Sequence, residues 1–285
     1  MTEEDTSPKI EQEHSVDAAW IFDVDGVVTD PQEKKVKYPQ ILDRIASKIN
    51  NKEPVALNTG RSLSWLIERR IINDLSERIN DKKNLENLIV VGEKGGTWLT
   101  FDKDGTMHQH RDDSISVPES LQQKVRELVE TNYPQSMFYD DSKQTMISAE
   151  MKDGYSIEEY KKDQALLNKQ LVNLLEENSL SDQLKIDPTI IAVDVENKHV
   201  GKGFALERIF NWLKTKKIKP QQFIAFGDSR GDIAMAEKLN VENLPFEFVF
   251  VGNREDLEEK EYPFPITFTQ KRFDKGTLEY LKQVA

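Results

Sequence analysis

Residues 18–30 read Ala-Ala-Trp-Ile-Phe-Asp-Val-Asp-Gly-Val-Val-Thr-Asp, a short apolar run that ends in two aspartates and a glycine. Short, nearly all-apolar runs closed by Gly, Asp or Asn are typical of strands buried on both faces of a parallel sheet. Runs of this kind recur at Pro54–Leu57, Leu88–Val91, Ile190–Val195, Phe223–Phe226 and Phe246–Val251. Helical patterns separate several of them, at Ser62–Ile72, Phe204–Lys216 and Asp232–Leu239. The alternation predicts an open α/β fold with a parallel sheet and right-handed crossovers.

The middle of the chain departs from this alternation. A hairpin is predicted at Thr97–Phe101 and Met107–His110, around an Asp-Lys-Asp-Gly turn. Two helical stretches and two strands follow, at Glu119–Asn132, Ile157–Glu177, Thr145–Met151 and just before Asp187. We therefore predict an α/β core at 18–111 and 189–285, an inserted α+β module at 112–188, and a disordered acidic tail at 1–17.

Composition excludes several classes of protein. The 285 residues carry 51 acidic and 39 basic side chains, a formal net charge of −12, which argues against a nucleic-acid partner. There is no cysteine, so disulfides, thiolate zinc sites and cysteine nucleophiles are excluded. No apolar run approaches the roughly 20 residues that span a bilayer, and residues 1–17 do not resemble a signal peptide. A soluble, cytoplasmic protein without a membrane partner is expected.

The first candidate site follows the first predicted strand. Asp23 and Asp25 lie two positions apart at its end, and Gly26 lets the chain turn sharply. Two carboxylates in one pocket can divide a reaction between them, because one attacks phosphorus while the other transfers a proton. The same D-x-D-G sequence is also common in ordinary turns, so this pair alone does not identify a site.

A second cluster, Asn58-Thr59-Gly60-Arg61-Ser62, follows the next strand. A hydroxyl and a glycine at a helix N-terminus offer donors to a phosphate, although Thr59 also suits a simple helix cap. A third candidate is Lys202, which stands between two glycines and can neutralise a phosphate or carboxylate. This is not a P-loop, because Gly203 occupies the position that requires Ser or Thr. Taken alone, a lysine in such a sequence is usually an exposed loop residue.

The fourth cluster is Gly227-Asp228-Ser229-Arg230-Gly231-Asp232, after another predicted core strand. Carboxylate oxygens are the ligands that Mg²⁺ takes from proteins, so Asp228 and Asp232 are candidate metal ligands. The alternative is an acidic turn. Because ligands of open α/β sheets bind at the carboxyl ends of the strands, four clusters at that edge indicate one site.

In this order, the four clusters resemble the four motifs of the haloacid dehalogenase superfamily of phosphohydrolases. The resemblance covers about residues 18–111 and 189–285, and it implies a Rossmann-like core. It further implies that Asp23 is the nucleophile that forms an aspartyl-phosphate, Asp25 the general acid and base, Thr59 the phosphate-binding hydroxyl and Lys202 the catalytic lysine.

The resemblance also implies a magnesium-dependent phosphatase. Four positions are implied as ligands of Mg²⁺, with Asp25 acting through its carbonyl: Asp23, Asp25, Asp228 and Asp232. Phosphate is expected to bind at four positions: Thr59, Gly60, Arg61 and Lys202. For Arg61, a structural ion pair is at least as good an interpretation. Gly231 departs from many relatives, which carry there an asparagine able to donate a side-chain hydrogen bond.

The position of the inserted module narrows the class. Thr59 follows Asp23 by only 36 positions, whereas Lys202 follows Thr59 by 143, so the insertion lies between the second and third motifs. This resembles the C2-capped branch, which includes many sugar-phosphate phosphatases. Gly92–Gly96 and Gly227–Asp232 are similar to segments of trehalose-phosphate phosphatases, and Asn58–Ser62 is closer to sucrose-phosphate phosphatases. The cap is expected to select the substrate.

The predicted function is therefore hydrolysis of a small phosphate ester by a monomer or homodimer, and the resemblance favours a sugar phosphate as the substrate. Two alternatives remain open on the sequence. Some C2-capped relatives keep the four motifs and act as phosphomutases or phosphotransferases. A non-catalytic binding protein on the same fold is the third class, although every position that the resemblance assigns to the reaction is filled.

Overall fold

The computed structural model of the protein describes residues 13–257 and 261–284. Its strands are β1 (His14–Phe22), β2 (Val55–Asn58), β3 (Leu88–Gly92), β4 (Thr97–Phe101), β5 (Met107–Arg111), β6 (Met137–Tyr139), β7 (Ile147–Met151), β8 (Leu184–Pro188), β9 (Ala192–Asn197), β10 (Ile218–Gly227), β11 (Phe246–Phe250) and β12 (Ile266–Phe268). Its α-helices are α1 (Pro39–Asn50), α2 (Leu63–Glu68), α3 (Ile71–Ser76), α4 (Glu119–Asn132), α5 (Ile157–Glu177), α6 (Lys202–Thr215), α7 (Ile233–Val241) and α8 (Asp274–Gln283).

The larger sheet has eight strands in the order β12-β11-β10-β1-β2-β3-β4-β5. Every pair from β12 to β3 is parallel, and the predicted hairpin β4–β5 extends the sheet in antiparallel fashion. The fold is therefore the predicted α/β core with a largely parallel sheet. Short apolar strands form here because crossover helices cover both faces and leave no face for polar side chains.

Alternation along β1 shows how both faces are buried. Trp20 and Phe22 pack against α1, α2, α3 and α8 on one face, whereas Ala19 and Ile21 face α6 and α7 on the other. Each of these side chains is at most 3% exposed, as a central strand requires. The parallel register with β2 and β10 brings the ends of the three strands to one edge.

The smaller sheet has four antiparallel strands in the order β6-β7-β9-β8. Helices α4 and α5 pack on it around a hydrophobic cluster of its own, which runs from Val117 to Val195. Both helices begin and end where the sequence predicts. We call this unit the cap.

One predicted core strand belongs to the cap instead. The run Ile190–Val195 was expected in the parallel sheet, but β9 pairs in antiparallel fashion with β7 and β8. The return to the core therefore comes near residue 200, not at 189. The alternation Val193-Asp194-Val195-Glu196 indicates a strand with one apolar and one acidic face, which suits a two-layer cap better than a fully covered sheet.

Other boundaries also differ from the prediction. Residues 14–17 were assigned to the tail but form the start of β1, because their backbone pairs with residues 218–220 of β10 whatever their polarity. Residues 1–12 of the predicted tail lie outside the described residues. The helix predicted at Ser62–Ile72 is broken at Arg70, whose φ of 59° is left-handed. Four elements had no prediction: α1, β6, β12 and α8.

Among residues 13–257 and 261–284, every helix is too short or too polar to cross a lipid bilayer.

Candidate active site

The site lies where three neighbouring strands end. β1, β2 and β10 are adjacent and parallel, so Asp23, Thr59 and Asp228 emerge at the same edge of the larger sheet. The cap faces this edge across a cavity of about 490 Å³. All eight residues predicted for the site line this cavity: Asp23, Asp25, Thr59, Gly60, Arg61, Lys202, Asp228 and Asp232.

Lys202 joins two of the aspartates. Its ammonium is hydrogen-bonded to Asp23 and lies 3.1 Å from Asp232 Oδ1. It also donates to the carbonyl oxygen of Asn58 at 2.6 Å, while Asn58 Nδ2 donates to the carbonyl oxygen of Lys202 at 3.1 Å. Burial would lower the pKa of Lys202, but the two carboxylates outweigh it and raise that pKa. A protonated lysine therefore stands beside the proposed nucleophile.

Lys202 lies on a different element from the one predicted. It does not follow a core strand, because β9 belongs to the cap; it is the first residue of α6, which packs on the larger sheet. Asn58 is fully buried and fixes the lysine from both its backbone and its side chain. Asn58 was quoted in the second cluster without a role, and only this contact over 144 positions reveals one.

Three carboxylates form a compact group suited to a cation. One oxygen from each of Asp23, Asp228 and Asp232 lies within 4.8 Å of the others. Burial, opposed by Lys202, raises the pKa of Asp23 to about 7; burial together with the charges of Asp23 and Asp232 raises the pKa of Asp228 to about 9. Crowded, desolvated carboxylates are costly in the ionised form unless a positive charge joins them. The donor set therefore fits a hard divalent ion.

Gly26 makes room for this group. Its φ is +77°, and a Cβ at this position would lie 2.1 Å from Asp228 Oδ2. A side chain here is therefore excluded both by backbone conformation and by contact. The turn after Asp25 needs glycine so that Asp228 can approach the first motif.

Asp232 is oriented by its own loop. Its Oδ2 atom accepts from the backbone N–H of Ser229 at 3.0 Å, from that residue's hydroxyl at 2.7 Å, and from the N–H of Asp228 at 3.2 Å. These contacts form a capping box between Ser229 and Asp232 at the start of a short helical turn. Asp232 is thus positioned without the asparagine that Gly231 replaces, although a Cβ there would meet nothing closer than 3.7 Å.

Thr59 and Gly60 form the wall beside Asp23. Thr59 is 1% exposed, and its hydroxyl oxygen accepts from the backbone N–H of Arg61 at 3.1 Å. Ser62, not Thr59, caps the helix that follows, by accepting from the N–H of Trp65 at 3.1 Å. The hydroxyl of Thr59 is therefore not needed as a helix cap, and a hydroxyl that accepts one hydrogen bond can also donate one.

Arg61 contacts carboxylates. Its Nε donates to Asp25 Oδ2 at 2.9 Å and one terminal nitrogen to Asp25 Oδ1 at 3.4 Å. The other terminal nitrogen donates to Glu150 Oε1 of the cap at 3.4 Å. The guanidinium also lies 4.7 Å from the ring centroid of Trp65. Arg61 thus fixes the carboxylate of Asp25 and links it to the cap.

The core and the cap are joined by ion pairs, several of them buried, that the sequence analysis did not assign. The ammonium of Lys94 lies 2.9 Å from Asp187, 3.2 Å from Asp194 and 2.8 Å from Glu196, all on cap strands. Glu196 is 1% exposed, and burial raises its pKa although Lys94 opposes the shift. The neighbouring Glu93 accepts from the backbone N–H groups of cap residues 144 and 145.

Replacing Lys94 with methionine is expected to destabilise the protein strongly. Three carboxylates would lose their shared ammonium, and removing one partner of a buried ion pair costs about 3–5 kcal/mol. We expect the free energy of unfolding in urea at pH 7 to fall by about that amount, and the deficit to shrink at lower pH as the buried Glu196, whose pKa is raised, takes up a proton. Lys37→Met, which removes an exposed ion-paired lysine, is the control and should change little. Equal stability of the two variants would contradict this account of Lys94.

Comparison with known proteins gives a family. The family model described as haloacid dehalogenase-like hydrolase matches residues 20–242, which is more than half of the chain. None of the curated proteins compared matches the sequence.

Three solved structures illustrate the similarity in fold. A haloacid dehalogenase-like hydrolase from Bacteroides thetaiotaomicron is 11% identical with a TM-score of 0.62, and the alignment covers 95% of this chain and 100% of that one. The C-terminal domain of trehalose-6-phosphate phosphatase from C. albicans is 16% identical, with a TM-score of 0.60 and coverages of 94% and 92%. An IMP-nucleotidase from Plasmodium falciparum is 12% identical, with a TM-score of 0.56 and coverages of 94% and 68%. At these identities the likeness concerns the fold.

Proposed function

The chain belongs to the haloacid dehalogenase-like hydrolases, and we propose that it is a magnesium-dependent phosphomonoesterase acting on a small sugar phosphate through phosphorylated Asp23. The observation that carries the proposal is the contact of Lys202 with Asp23 and Asp232 at the end of three parallel strands. Lys202 supplies a positive charge for an anion beside the buried carboxylate of Asp23, and Asp232 supplies a carboxylate that can bind a metal ion.

Each residue then has a defined task. A carboxylate oxygen of Asp23 attacks phosphorus, and the leaving group departs from the opposite side. Asp25 protonates the leaving oxygen and afterwards takes a proton from the water that hydrolyses the aspartyl-phosphate. Lys202 and the hydroxyl of Thr59 stabilise the charge on the phosphoryl oxygens. Arg61 holds the carboxylate of Asp25 in place through its two hydrogen bonds.

The carboxylates of Asp23, Asp228 and Asp232 would hold Mg²⁺. When bound, the ion supplies positive charge that favours ionised Asp23 and neutralises phosphoryl oxygens. Asp228 is the main candidate ligand, because Asp232 already uses one oxygen within its own loop. The carbonyl oxygen of Asp25 remains the predicted fourth ligand.

The cap wall of the cavity favours a polyhydroxy leaving group. It carries the hydroxyl of Ser148 and the carboxylates of Glu150 and Asp194, and the Ser148 hydroxyl donates to Asp194 at 2.7 Å. Closely spaced acceptors and a hydroxyl suit the many donors of a sugar better than a flat base, for which the described cavity wall offers no aromatic side chain. Trehalose-6-phosphate phosphatases among the similar folds agree with this chemistry.

A phosphate-release screen tests the proposal. The purified protein is offered sugar phosphates and nucleoside monophosphates with Mg²⁺ present, and free phosphate and all organic products are measured. We expect sugar phosphates to be hydrolysed most efficiently. Preference for nucleotides would overturn the substrate class, and transfer of the phosphoryl group to a second sugar without free phosphate would instead identify a mutase or transferase.

Metal removal should abolish activity. Excess chelator is expected to lower turnover at least about 100-fold, because the charge it removes contributes several kcal/mol to the transition state. Asp228→Asn should weaken Mg²⁺ binding and recover part of its turnover at high Mg²⁺, whereas Asp182→Asn on the exposed cap surface should behave as wild type. Because protons compete for the carboxylates, the apparent affinity for Mg²⁺ should rise with pH, most steeply below the pKa of Asp23 at about 7, and level off above the pKa of Asp228 at about 9. Full activity in chelator would contradict the proposed metal.

A further inference from the structure

The cap contributes a lysine to the phosphate end of the cavity. Lys143 lies on the loop between β6 and β7, and its ammonium donates to the carbonyl oxygen of Gly60 at 2.6 Å. It lines the same cavity as Asp23, Thr59 and Lys202. We propose that Lys143 is a phosphate-binding residue, which the cap supplies to the core. This inference rests on the proposed function, since it concerns the anion in that same site.

The position of Lys143 is defined by contacts on both sides of it. The hydroxyl of Ser142 lies 2.7 Å from that of Ser62, and the next two backbone N–H groups donate to Glu93. A flexible side chain is therefore anchored at its backbone by the core and at its tip by Gly60. Binding an anion there requires little further ordering of the lysine.

Lys143 also differs from the other cavity cations in its partners. Arg61, Lys94 and Lys202 each contact at least one carboxylate. Within the described part of the chain, the ammonium of Lys143 bonds only to a neutral carbonyl oxygen. An ammonium has three donors, so two remain for another acceptor. Lys34 lines the cavity as well, but no described contact fixes its ammonium beside Thr59 and Gly60.

Charge at the site explains the need for this lysine. A phosphate monoester is a dianion and approaches a group of aspartates that holds Asp23, Asp228 and Asp232. Lys202 is already committed to two of them. The ammonium of Lys143 contacts no carboxylate among the described residues and lies beside Gly60, the residue after Thr59, so its charge offsets the repulsion. Because Lys143 belongs to the cap, phosphate affinity becomes linked to the docking of the cap.

Calorimetric binding of inorganic phosphate, with saturating Mg²⁺, tests the inference independently of turnover. Lys143→Met should weaken phosphate binding about 10- to 100-fold, the loss of one charge-assisted hydrogen bond. Lys143→Arg should stay within a few fold of wild type. Lys143→Gln keeps a donor for the Gly60 carbonyl without the charge, and it should lose affinity like the methionine variant, so the test remains if one variant folds poorly.

Two controls separate charge from docking. Lys124→Met removes a cap lysine that donates to Asn178, outside the cavity, and should bind phosphate as wild type does. Ser142→Ala removes a docking contact but keeps the ammonium, and it should lose less than about threefold. The inference would be overturned if Lys143→Met bound phosphate as tightly as Lys124→Met, or if Ser142→Ala bound it as weakly as Lys143→Met. It would also be overturned if the wild-type protein bound no phosphate. Failure of the phosphatase proposal appears separately, as phosphate binding without turnover of any ester.

Discussion

Asp23→Asn is expected to lose turnover by roughly four to six orders of magnitude, the scale seen when a covalent nucleophile is removed. The amide has nearly the same shape as the carboxylate but cannot attack phosphorus as an anion. No phosphoenzyme should form. Rapid acid quench followed by mass measurement of the peptide that contains Asp23 checks this directly, because the wild-type peptide should carry one phosphoryl group.

The fold of this variant needs its own check, because Lys202 would lose one of its two carboxylate partners. A thermal melt settles whether the protein is folded, and Asp113→Asn, on an exposed side chain, serves as the matched control. Near-normal turnover of the folded Asp23→Asn variant would contradict the proposed mechanism. A phosphoryl group trapped on any other residue would do the same.

The second large effect is expected for Asp25→Asn, and it should depend on the leaving group. A sugar alkoxide is too basic to depart without a proton, so its hydrolysis should slow about 10²- to 10⁴-fold, the usual contribution of general acid–base catalysis. An activated aryl phosphate needs no proton in the first step. With that substrate the phosphoenzyme should form and persist, because the attacking water still lacks its base.

The two substrates are therefore internal controls for each other. Quench experiments should show phosphorylated Asp23 in Asp25→Asn with the aryl ester and little with the sugar ester. Arg61 contacts the same carboxylate and Glu150 of the cap, so a melt must show that the asparagine variant keeps this arrangement. Equal slowing of both esters, without an accumulated phosphoenzyme, would remove Asp25 from the role of acid and base.

Local sequence was sufficient to predict five strands of the larger sheet that surround the site: β1, β2, β3, β10 and β11. The apolar run before Asp23 can be buried only in a sheet covered on both faces, and the glycine after Asp25 is needed for the approach of Asp228. Because parallel strands end at one edge, the aspartates and Thr59 were predicted to meet without knowledge of long-range contacts. The helices α4 and α5 were also predicted correctly, because the spacing of apolar residues that indicates a helix is a local property of the sequence.

Which strands pair with which could not be predicted from the sequence. An apolar run of six residues has the same composition in a parallel core and in an antiparallel cap, so β9 was placed in the wrong sheet. Its alternating acids were the available signal. They are buried because Lys94, about 100 positions away, neutralises them, and nothing local to either segment predicts that encounter.

The sequence by itself determined which polar residues lie at the strand ends; only the tertiary structure decided which charges meet. Arg61 donates to Asp25 and to Glu150 of the cap, and Lys143 reaches Gly60 across 83 positions. The physical reason is the range of the interactions. Strand and helix periodicity act over a few residues, whereas ion pairs between core and cap depend on how two separately packed sheets are set against each other.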